Sequence, residues 1–482
     1  MISKSFLKSS IIITLSGALP MVGGIILLPF YTNYLPTLQF TQLAYYILIT
    51  LLTQIIFSFS IDTYYGVKYT QLANEPQEQK KFTGTISILL LLIGIILLLL
   101  FSISGDFLFS TCFVPEFEME FWPWGFYSIL TGFFNAYFKT ATNCLIYFKK
   151  ERLYFGVNFI NFVATLVISI GGLKLFPDSL IGPMYGRLLS GAIIFLLAQY
   201  IYSSNGTLKF EKTFLKDLMV FCSPYVLVVF CFWILGNVDR LFLQHFISNI
   251  EINAYDTVMK CFFGVMFVQN GLSAVIFPKV YEIWKKEGEN KTTKESNRYF
   301  NVFNFVNIMQ LIFFCIVIPV LYKIFINKPE FYQSDQYIGL LATTYALTGI
   351  LNYYLATIQF TKNSILLLKI YLITAAFQIA LTYFGIKHFA LLGAIYATLI
   401  TKVIQVILTV LLTKNIFKYE YNYFKIIGLP FIFIVYNIIQ YQISPDYNLY
   451  LYLGQFTLFS IVFYFIFKNE IKVVFQQYLK LK

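Results

Sequence analysis

The sequence predicts an all-α membrane protein, a polytopic bundle of about fourteen transmembrane helices. Of its 482 residues, 58% are hydrophobic and only 12% are charged, about half the charged share of a usual soluble domain. Apolar stretches recur along the whole chain in blocks of about 20 residues, the length with which a helix crosses ~30 Å of hydrocarbon. A transmembrane β-barrel would show short alternating strands instead, so the pattern favours helices.

The first seven spans are separated by polar or proline-containing breaks. NYLPT, DTYYGVKYTQLANEPQEQKK and FVPEFEME follow the first three spans, KKER and FPDS follow the next two, and SSNGTLKFEK follows the sixth. The seventh apolar run stops at GNVDR, where charge returns. These breaks predict spans at residues 10–31, 40–60, 83–104, 121–148, 153–176, 180–203 and 214–236.

The remaining seven spans are bounded in the same way. Their breaks are KKEGENKTTKESNR, NKPEFYQSDQ, TKN, a short KH step, KNIFKYEYN and SPDYN. The apolar runs between them are each long enough for a helix to cross the bilayer. These breaks predict spans at residues 255–281, 299–326, 336–360, 363–386, 389–413, 423–443 and 447–468.

Lysine and arginine fall mainly on one side of these spans, as in the segments KK, KKER and KKEGENK. The opposite gaps hold few basic residues, and the positive-inside rule therefore predicts that both termini are cytoplasmic. The formal net charge of +12 is largely this topology signal. The basic residues of the opposite gaps are Lys174, Lys323, Lys328 and Lys387, with Arg240 near one edge.

The loops leave little room for chemistry outside the membrane. The longest predicted outer gap, SGDFLFSTCFVPEFEMEFW, is shorter than 20 residues and acidic. The chain has no GxxxxGK phosphate loop, only two histidines, and six scattered cysteines without CxxC spacing. We therefore predict a transporter rather than an enzyme, with no cofactor and no metal site. Nucleic-acid binding has no basic motif or soluble domain to support it.

Two segments of the chain resemble each other. The first span contains Pro20 and is followed by Ala44-Tyr45, while the seventh contains Pro224 and is followed by Ala254-Tyr255. The second segment begins six spans after the first, so we predict two parallel six-helix repeats, as transporters build around a midline cavity. The predicted parts are an N-terminal half at 1–208, a C-terminal half at 209–418, and two additional helices with a cytoplasmic tail at 419–482.

The segment WILGNVDRLFLQHFISNIEINAYDTVMK and the opening LPFYTNYLPTLQFTQLAYY carry a resemblance to a known family. They resemble the polysaccharide exporter branch, of the O-antigen flippase type, of the multidrug/oligosaccharidyl-lipid/polysaccharide (MOP) superfamily. In that family an Asp-Arg pair ends the seventh helix and is followed by an acidic turn and a Gly-Tyr or Ala-Tyr step. The matching residues here are Asp239, Arg240, Glu251, Ala254 and Tyr255.

The resemblance implies a function and a location. Members of this family move undecaprenyl-diphosphate-linked oligosaccharides from the inner to the outer leaflet of the bacterial cytoplasmic membrane. It implies a lipid-linked oligosaccharide as substrate, in contact with membrane lipid. It also implies a polysaccharide polymerase, a chain-length regulator and glycosyltransferases as partners.

Five basic residues fall inside the predicted spans, where a charge costs roughly 3 kcal/mol or more unless protein or water surrounds it. We interpret them as a cationic cavity that binds an anionic diphosphate at successive depths. Structural roles are the alternative, because two of the lysines lie near enough to the inner interface to snorkel, and Lys260 follows Asp256 by four residues. The five are Lys139, Arg187, Lys260, Lys369 and Lys402, with Lys402 nearest the middle.

A polar stripe marks the end of the seventh span. Asn237, Arg240 and Gln244 follow each other at helical spacing, whereas the neighbours Asp239 and Arg240 point about 100° apart and need separate partners. We expect these four residues to latch the outer side in one state of alternating access, and a static fold-stabilising network is the alternative. Asp239 and Asp256 are the candidate carboxylates for ion coupling.

Three other functions remain open. A MATE-type drug/cation antiporter of the same superfamily would favour intramembrane carboxylates and twelve spans, and a peptidoglycan-precursor flippase shares the fold and the anionic substrate. A membrane polysaccharide polymerase or ligase, from the enzyme class, would carry a large outer loop with arginines or histidines. The excess of cations over acids inside the spans favours the oligosaccharide flippase.

Overall fold

The computed structural model describes residues 4–72, 74–207, 209–287, 292–361 and 363–479. Helices form nearly all of this part of the chain, and it contains no β-strand. The helices are α1 Lys4–Tyr34, α2 Thr37–Ser58, α3 Ile61–Gln71, α4 Pro76–Cys112, α5 Phe126–Tyr147, α6 Glu151–Leu175, α7 Ile181–Asn205, α8 Thr213–Leu243, α9 Asn249–Cys261, α10 Phe263–Glu287, α11 Lys294–Phe325, α12 Ile338–Ala346, α13 Thr348–Phe360, α14 Ser364–Thr413, α15 Leu429–Ile443 and α16 Leu449–Leu479. Shorter helical turns lie at Pro115–Phe117, Phe121–Gly125, Pro329–Tyr337 and Phe424–Gly428.

Each of the fourteen predicted spans corresponds to one helix, to a run of adjacent helices, or to one half of α14. Ten helical stretches in the described residues are long and apolar enough to cross a membrane. The predicted fold class, an all-α polytopic bundle, is therefore confirmed, and the chain is a multi-pass membrane protein. Residues 288–291, within the charged break predicted after the eighth span, lie outside the described residues.

The seventh span is longer than the sequence predicted. α8 continues past the expected end at residue 236 and stops at Leu243. The apolar residues Leu241, Phe242 and Leu243 follow the charged pair and extend the helix, and Leu243 is fully buried. Asp239 and Arg240 therefore lie within the last two turns of a helix rather than beyond its edge.

Short breaks interrupt the helices at the end of the second predicted span and within the eighth. Phe59 and Ser60 adopt left-handed backbone conformations, with φ of 44° and 56°, and they separate α2 from α3. Two consecutive residues other than glycine in this region are uncommon. The eighth span has a similar break at Phe262, between α9 and α10.

The chain divides into two compact units, Met1–Asn253 and Ala254–Lys482. In the first, α7 packs against α5 and α6, while α8 packs against α2 and α3. In the second, α12 packs against α15, α11 against α16, and α13 against α14. The first unit thus includes α8, although the predicted first half ends at 208. The predicted division into 1–208, 209–418 and 419–482 concerns sequence repeats and stays a prediction.

Each unit contains a hairpin whose two helical segments contact each other at glycine residues. In the first unit, a Cβ atom added at Gly182 would collide with the backbone of Gly172 and Leu173, so α6 and α7 touch main chain to main chain. In the second, a Cβ atom at Gly393 would collide with the Gly385 carbonyl group. Since residues eight apart in one helix are about 12 Å apart, α14 must reverse between these two glycines. The reversal occurs at Ala390, with φ 47° and ψ −127°.

Candidate functional site

The polar stripe of α8 makes contacts with its own helix and with neighbouring elements. Arg240 donates from its guanidinium to Asn237 Oδ1 over 3.2 Å and to the Gly236 carbonyl over 3.3 Å. Gln244 donates to the carbonyl of Cys112, at the end of α4, over 2.8 Å. The structure thus brings Asn237 and Arg240 together and attaches Gln244 to the segment that follows the third span.

The first turns of α2 complete this region, which we call the outer network because the topology predicted from the sequence assigns it to the outer side. Tyr45 donates to the main-chain carbonyl of Arg240 over 2.8 Å. Gln42 donates to the carbonyls of Phe117 and Glu118 over 3.0 and 3.1 Å, and Tyr46 donates to the carbonyl of Glu120 over 2.9 Å. One helix therefore binds both the end of α8 and the segment 113–120, so the region behaves as one hydrogen-bonded assembly.

Both charges of the Asp-Arg pair are buried, with Asp239 4% and Arg240 7% exposed. Burying a charge is costly unless it is paired and hydrogen-bonded, so these residues are fixed by their surroundings rather than solvated.

Two of the five candidate cations have carboxylate partners. Lys260 lies 2.5 Å from Asp256, four residues earlier in α9; the Asp256 side chain is buried and that of Lys260 is 13% exposed. Lys139 of α5 lies 2.8 Å from Asp62 of α3, whose side chain is only 8% exposed. The structural alternative considered for Lys260 is thus the arrangement present. Asp62 was missed because it follows the predicted end of the second span.

Of the three remaining candidate cations, Lys369 and Arg187 differ in their exposure. Lys369 is exposed near the start of α14, on the same face as the exposed apolar residues Ile365, Leu372 and Ile373. That position fits a lysine that snorkels toward an interface. Arg187 of α7 is half-buried, and its Nε is enclosed without a hydrogen-bond partner in the described part of the chain.

Lys402 belongs to a column of polar side chains inside the α14 hairpin. Thr398, Lys402, Gln405 and Thr409 follow each other at helical spacing on the second half of α14. Gln378 of the first half donates to Thr398 Oγ1 over 3.2 Å, which joins the two halves. Lys402 is half-buried and makes no hydrogen bond or ion pair with any residue that the structure describes.

Several acceptors in this column, or beside it on the two halves of α14, are also unused. Gln378 Oε1, Thr401 Oγ1 and Gln405 Oε1 are buried without a hydrogen-bond partner among the described residues. Buried polar atoms normally have a protein or water partner. The column therefore has the composition of a hydrated or ligand-binding surface with one cation in it. Its signal was present in the sequence as the spacing 398, 402, 405 and 409, but sequence reasoning selected only Lys402.

No family model matches the chain. A Haemophilus influenzae protein named "Lsg locus putative protein 1" is 22% identical over 307 residues, which cover 61% of this chain and 74% of that protein. At 22% identity, this similarity does not show that the chain belongs to the polysaccharide exporter branch that its sequence resembles.

Solved structures resemble the chain over most of its length. The lipid II flippase MurJ, in an inward closed conformation, aligns with a TM-score of 0.71 and 14% identity over 94% of this chain and 99% of its own. A MOP superfamily transporter from Pyrococcus furiosus aligns with a TM-score of 0.60 and 12% identity over 85% of this chain and 95% of its own. An inward-facing multidrug resistance MATE family transporter aligns with a TM-score of 0.59 and 12% identity over 83% of this chain and 95% of its own. The chain therefore has the helical-bundle fold of the transporters of the MOP superfamily.

Proposed function

We propose that this protein carries an undecaprenyl-diphosphate-linked oligosaccharide from the inner to the outer leaflet of a bacterial cytoplasmic membrane by alternating access. The observation that carries the proposal is Lys402, a half-buried cation without a partner in the described residues, set among unused acceptors in a transporter fold. A diphosphate is an anion that such a cation binds with a charge-assisted hydrogen bond.

The five candidate cations have unequal parts in this proposal. Lys260 and Lys139 are already paired with Asp256 and Asp62, so a diphosphate would have to compete with a carboxylate for them. Lys402 and Arg187 bind the diphosphate in this proposal. Lys369 instead lies at the inner interface of the membrane. In the proposed cycle, alternating access exposes these cations to the substrate at different stages.

The outer network supplies the gate of this mechanism. Asp239, Arg240, Asn237 and Gln244 hold the end of α8 in one state, and their contacts must break or shift in the other state. Asp239 and Asp256 are the proposed carboxylates for coupling to an ion gradient. The proposed partners are the polymerase, the chain-length regulator and the glycosyltransferases that make and consume the glycan.

A peptidoglycan-precursor flippase is the second candidate. The observation that favours it is the alignment with the lipid II flippase, whose TM-score of 0.71 exceeds the 0.59 of the MATE transporter. Both candidates carry an anionic polyprenyl-linked sugar, so the binding argument for Lys402 applies to each. A drug/cation antiporter has less support because Lys402, which has no partner among the described residues, is a cation rather than a carboxylate.

The test is analysis of lipid-linked glycans in cells depleted of the protein. Extracted lipids are identified by mass spectrometry, and a membrane-impermeant probe reports the leaflet in which each lipid lies. We expect one diphosphate-linked oligosaccharide to accumulate on the inner leaflet. Accumulation of the peptidoglycan precursor instead supports the second candidate, and unchanged lipid pools contradict both.

Site variants sharpen the test. Lys402→Ala should reduce flipping in proteoliposomes roughly tenfold or more, because a hydrogen bond to a charged group contributes about 1.5–3 kcal/mol. Lys369→Ala is the matched control, since it removes a lysine of the same helix that lies on an exposed apolar face. Equal rates for the two variants would contradict a binding role for Lys402.

A further inference from the structure

The ion pair between Lys139 and Asp62 joins α5 to α3 within the first unit, and its two members differ in burial. Lys139 Nζ lies 2.8 Å from Asp62 Oδ2, and the side chains are 51% and 8% exposed respectively. The lysine ammonium group has three N–H donors, so the bond to one carboxylate oxygen leaves donors available. An anion in solution can therefore reach Lys139, whereas Asp62 is enclosed behind it.

Lys139 belongs to a polar face on the inner half of α5. From residue 135 to the end of this helix, the accessible side chains are Asn135, Lys139, Asn143, Ile146 and Tyr147. The four polar ones are spaced four residues apart, so they lie on one side of the helix. Polar and charged residues within a membrane span normally face protein or a water-filled cavity rather than lipid. The polar face of α5 therefore gives water and solutes a route to Lys139.

Asp62 depends on Lys139 for its compensating charge. Among the described residues, Lys139 is the cation that forms an ion pair with Asp62. The titratable groups of α5, α7 and α8 that also interact with Asp62 are uncharged near neutral pH, and they are Tyr147, Tyr202, Cys222 and Tyr225. Removing one partner from a buried ion pair is strongly unfavourable, because the other charge is left uncompensated. The buried position of Asp62 is therefore stable only while Lys139 is bound to it.

Asp62 lies directly beyond the break that separates α2 from α3. It belongs to the first turn of α3, two residues after the left-handed Ser60. This turn is closed by the main-chain N–H groups of Thr63 and Tyr64, which donate to the Ser60 carbonyl over 3.1 and 3.2 Å. Since the helix is already interrupted before Asp62, the first turn of α3 can open without unwinding α2.

The remainder of α3 is anchored more firmly. Tyr65 is fully buried, and its hydroxyl shares a hydrogen bond of 2.7 Å with the hydroxyl of Thr83. At the far end of the helix, Lys68 pairs with Asp217 of α8 over 2.9 Å. A change at Asp62 should therefore affect the first turn of α3 rather than the whole helix.

We propose that the Asp62–Lys139 pair is a switch operated by the diphosphate of the substrate. The diphosphate binds Lys139 and weakens its bond to Asp62, and the first turn of α3 then opens at the Phe59–Ser60 break. This inference rests on the proposed function, in which the substrate is a diphosphate-linked lipid. The competition between phosphate and carboxylate for Lys139 thereby converts the arrival of the substrate into a change in a helix.

The experiment measures backbone hydrogen exchange of the full chain in phosphatidylcholine nanodiscs by mass spectrometry. Inorganic pyrophosphate is the probe, and sodium chloride at equal ionic strength controls for general screening of charges. We expect peptides that cover residues 61–66 to exchange roughly threefold faster or more with pyrophosphate than with sodium chloride, because local opening exposes their amides. An unchanged or slower rate overturns the proposal.

Variants of the pair assign this response to the switch. Asp62→Asn has no buried charge to leave uncompensated, so its exchange over residues 61–66 should not respond to pyrophosphate. Lys139→Met should exchange fast without pyrophosphate and show no further increase. If Lys139→Met does not fold, Asp62→Asn decides alone, and a response that persists in it overturns the proposal.

Lys68→Met is the matched control, since it removes a lysine that pairs with a carboxylate at the other end of the same helix. It should keep the response to pyrophosphate. Loss of the response in this variant as well would indicate a general loosening of α3 and would count against a switch at Asp62.

A second set of nanodiscs distinguishes the source of the phosphate. Phosphatidylglycerol is added to the lipid, and pyrophosphate is left out. We expect the exchange over residues 61–66 to stay at the rate seen in phosphatidylcholine. Fast exchange caused by the anionic lipid alone would assign Lys139 to the phosphates of the membrane and overturn the proposal.

The switch and the proposed transport can fail separately. A protein that responds to pyrophosphate at residues 61–66 but flips no glycolipid in proteoliposomes retains the switch and loses the proposed function. A protein that flips glycolipid without this response does the reverse. Lys402→Ala should lose flipping and keep the response, because Lys402 belongs to the second unit.

Discussion

The phenol hydroxyl of Tyr45 donates a hydrogen bond to the main-chain carbonyl of Arg240 across 2.8 Å. Tyr45 belongs to the Ala-Tyr step after the first span, and Arg240 belongs to the charged pair of the seventh. Two features that the sequence analysis identified separately are therefore in direct contact within the first unit.

Tyr45→Phe should destabilise the first unit. The variant keeps the ring but leaves the Arg240 carbonyl without this donor, and an unsatisfied buried acceptor costs about 1–3 kcal/mol. The measurement is thermal unfolding in nanodiscs, with Tyr200→Phe as control because Tyr200 is 64% exposed. Equal unfolding temperatures for the two variants would show that the hydrogen bond contributes nothing.

The Lys139–Asp62 pair should respond unequally to loss of its two members. Lys139→Met leaves a carboxylate that is 8% exposed without its cation, whereas Asp62→Asn leaves a lysine that is 51% exposed and reaches solvent. We expect the lysine variant to unfold at the lower temperature, and the double variant to lie closer to Asp62→Asn. The opposite order of the single variants would refute this asymmetry.

Asp335 should make the stability of the second unit depend on pH. It lies between α11 and α12, and burial raises its pKa to about 7, while Lys323 lowers it. The folded state therefore binds the proton more tightly than the unfolded chain, whose aspartate pKa is about 3.9. The stability contributed by the protonated carboxyl is complete below about pH 4 and is lost as the pH rises through about 7.

Asp335→Asn tests this dependence. The amide has no charge to desolvate, so the variant should unfold a few degrees higher than wild type at pH 8 and show a flatter profile from pH 4 to 7. The unfolding temperature is recorded at steps across this range. A profile parallel to that of wild type would exclude Asp335 as the source.

The backbone contact between Gly385 and Gly393 in α14 predicts that a larger residue there destabilises the fold. Gly393→Ala places a methyl group against the Gly385 carbonyl, which is backbone and has no room to move. We expect a large fall in unfolding temperature or in folded yield. Gly454→Ala, in open space, should be neutral or stabilising by up to about 1 kcal/mol, because alanine favours a helix interior over glycine.

The sequence predicted the helices well because membrane spans are determined by length and apolar content, which are local properties. In the described residues each of the fourteen predicted spans falls on helical structure, including the division of α14 near Ala390. Helix ends were less predictable: α8 ends at Leu243 rather than at 236, since a buried charged pair does not stop a helix whose apolar residues resume.

The candidate site was less predictable because it depends on which helices are neighbours. The pairing of Lys260 with Asp256 could be anticipated from i,i+4 spacing, but that of Lys139 with Asp62 joins two helices. Gln378 likewise meets Thr398 only because α14 reverses. The role of each cation in binding substrate stays a prediction until transport is measured.

The two glycine hairpins restrict how the protein moves. Because Gly172 and Gly182, like Gly385 and Gly393, touch through the backbone, neither pair of helices can slide apart without losing its contact. In the proposed transport cycle we therefore expect each hairpin to move as a rigid piece that includes Arg187 or Lys402. We expect bending instead at Phe59–Ser60 and Phe262, where the helices are interrupted. Each cation would then keep its surroundings within the hairpin while its exposure to the substrate changes.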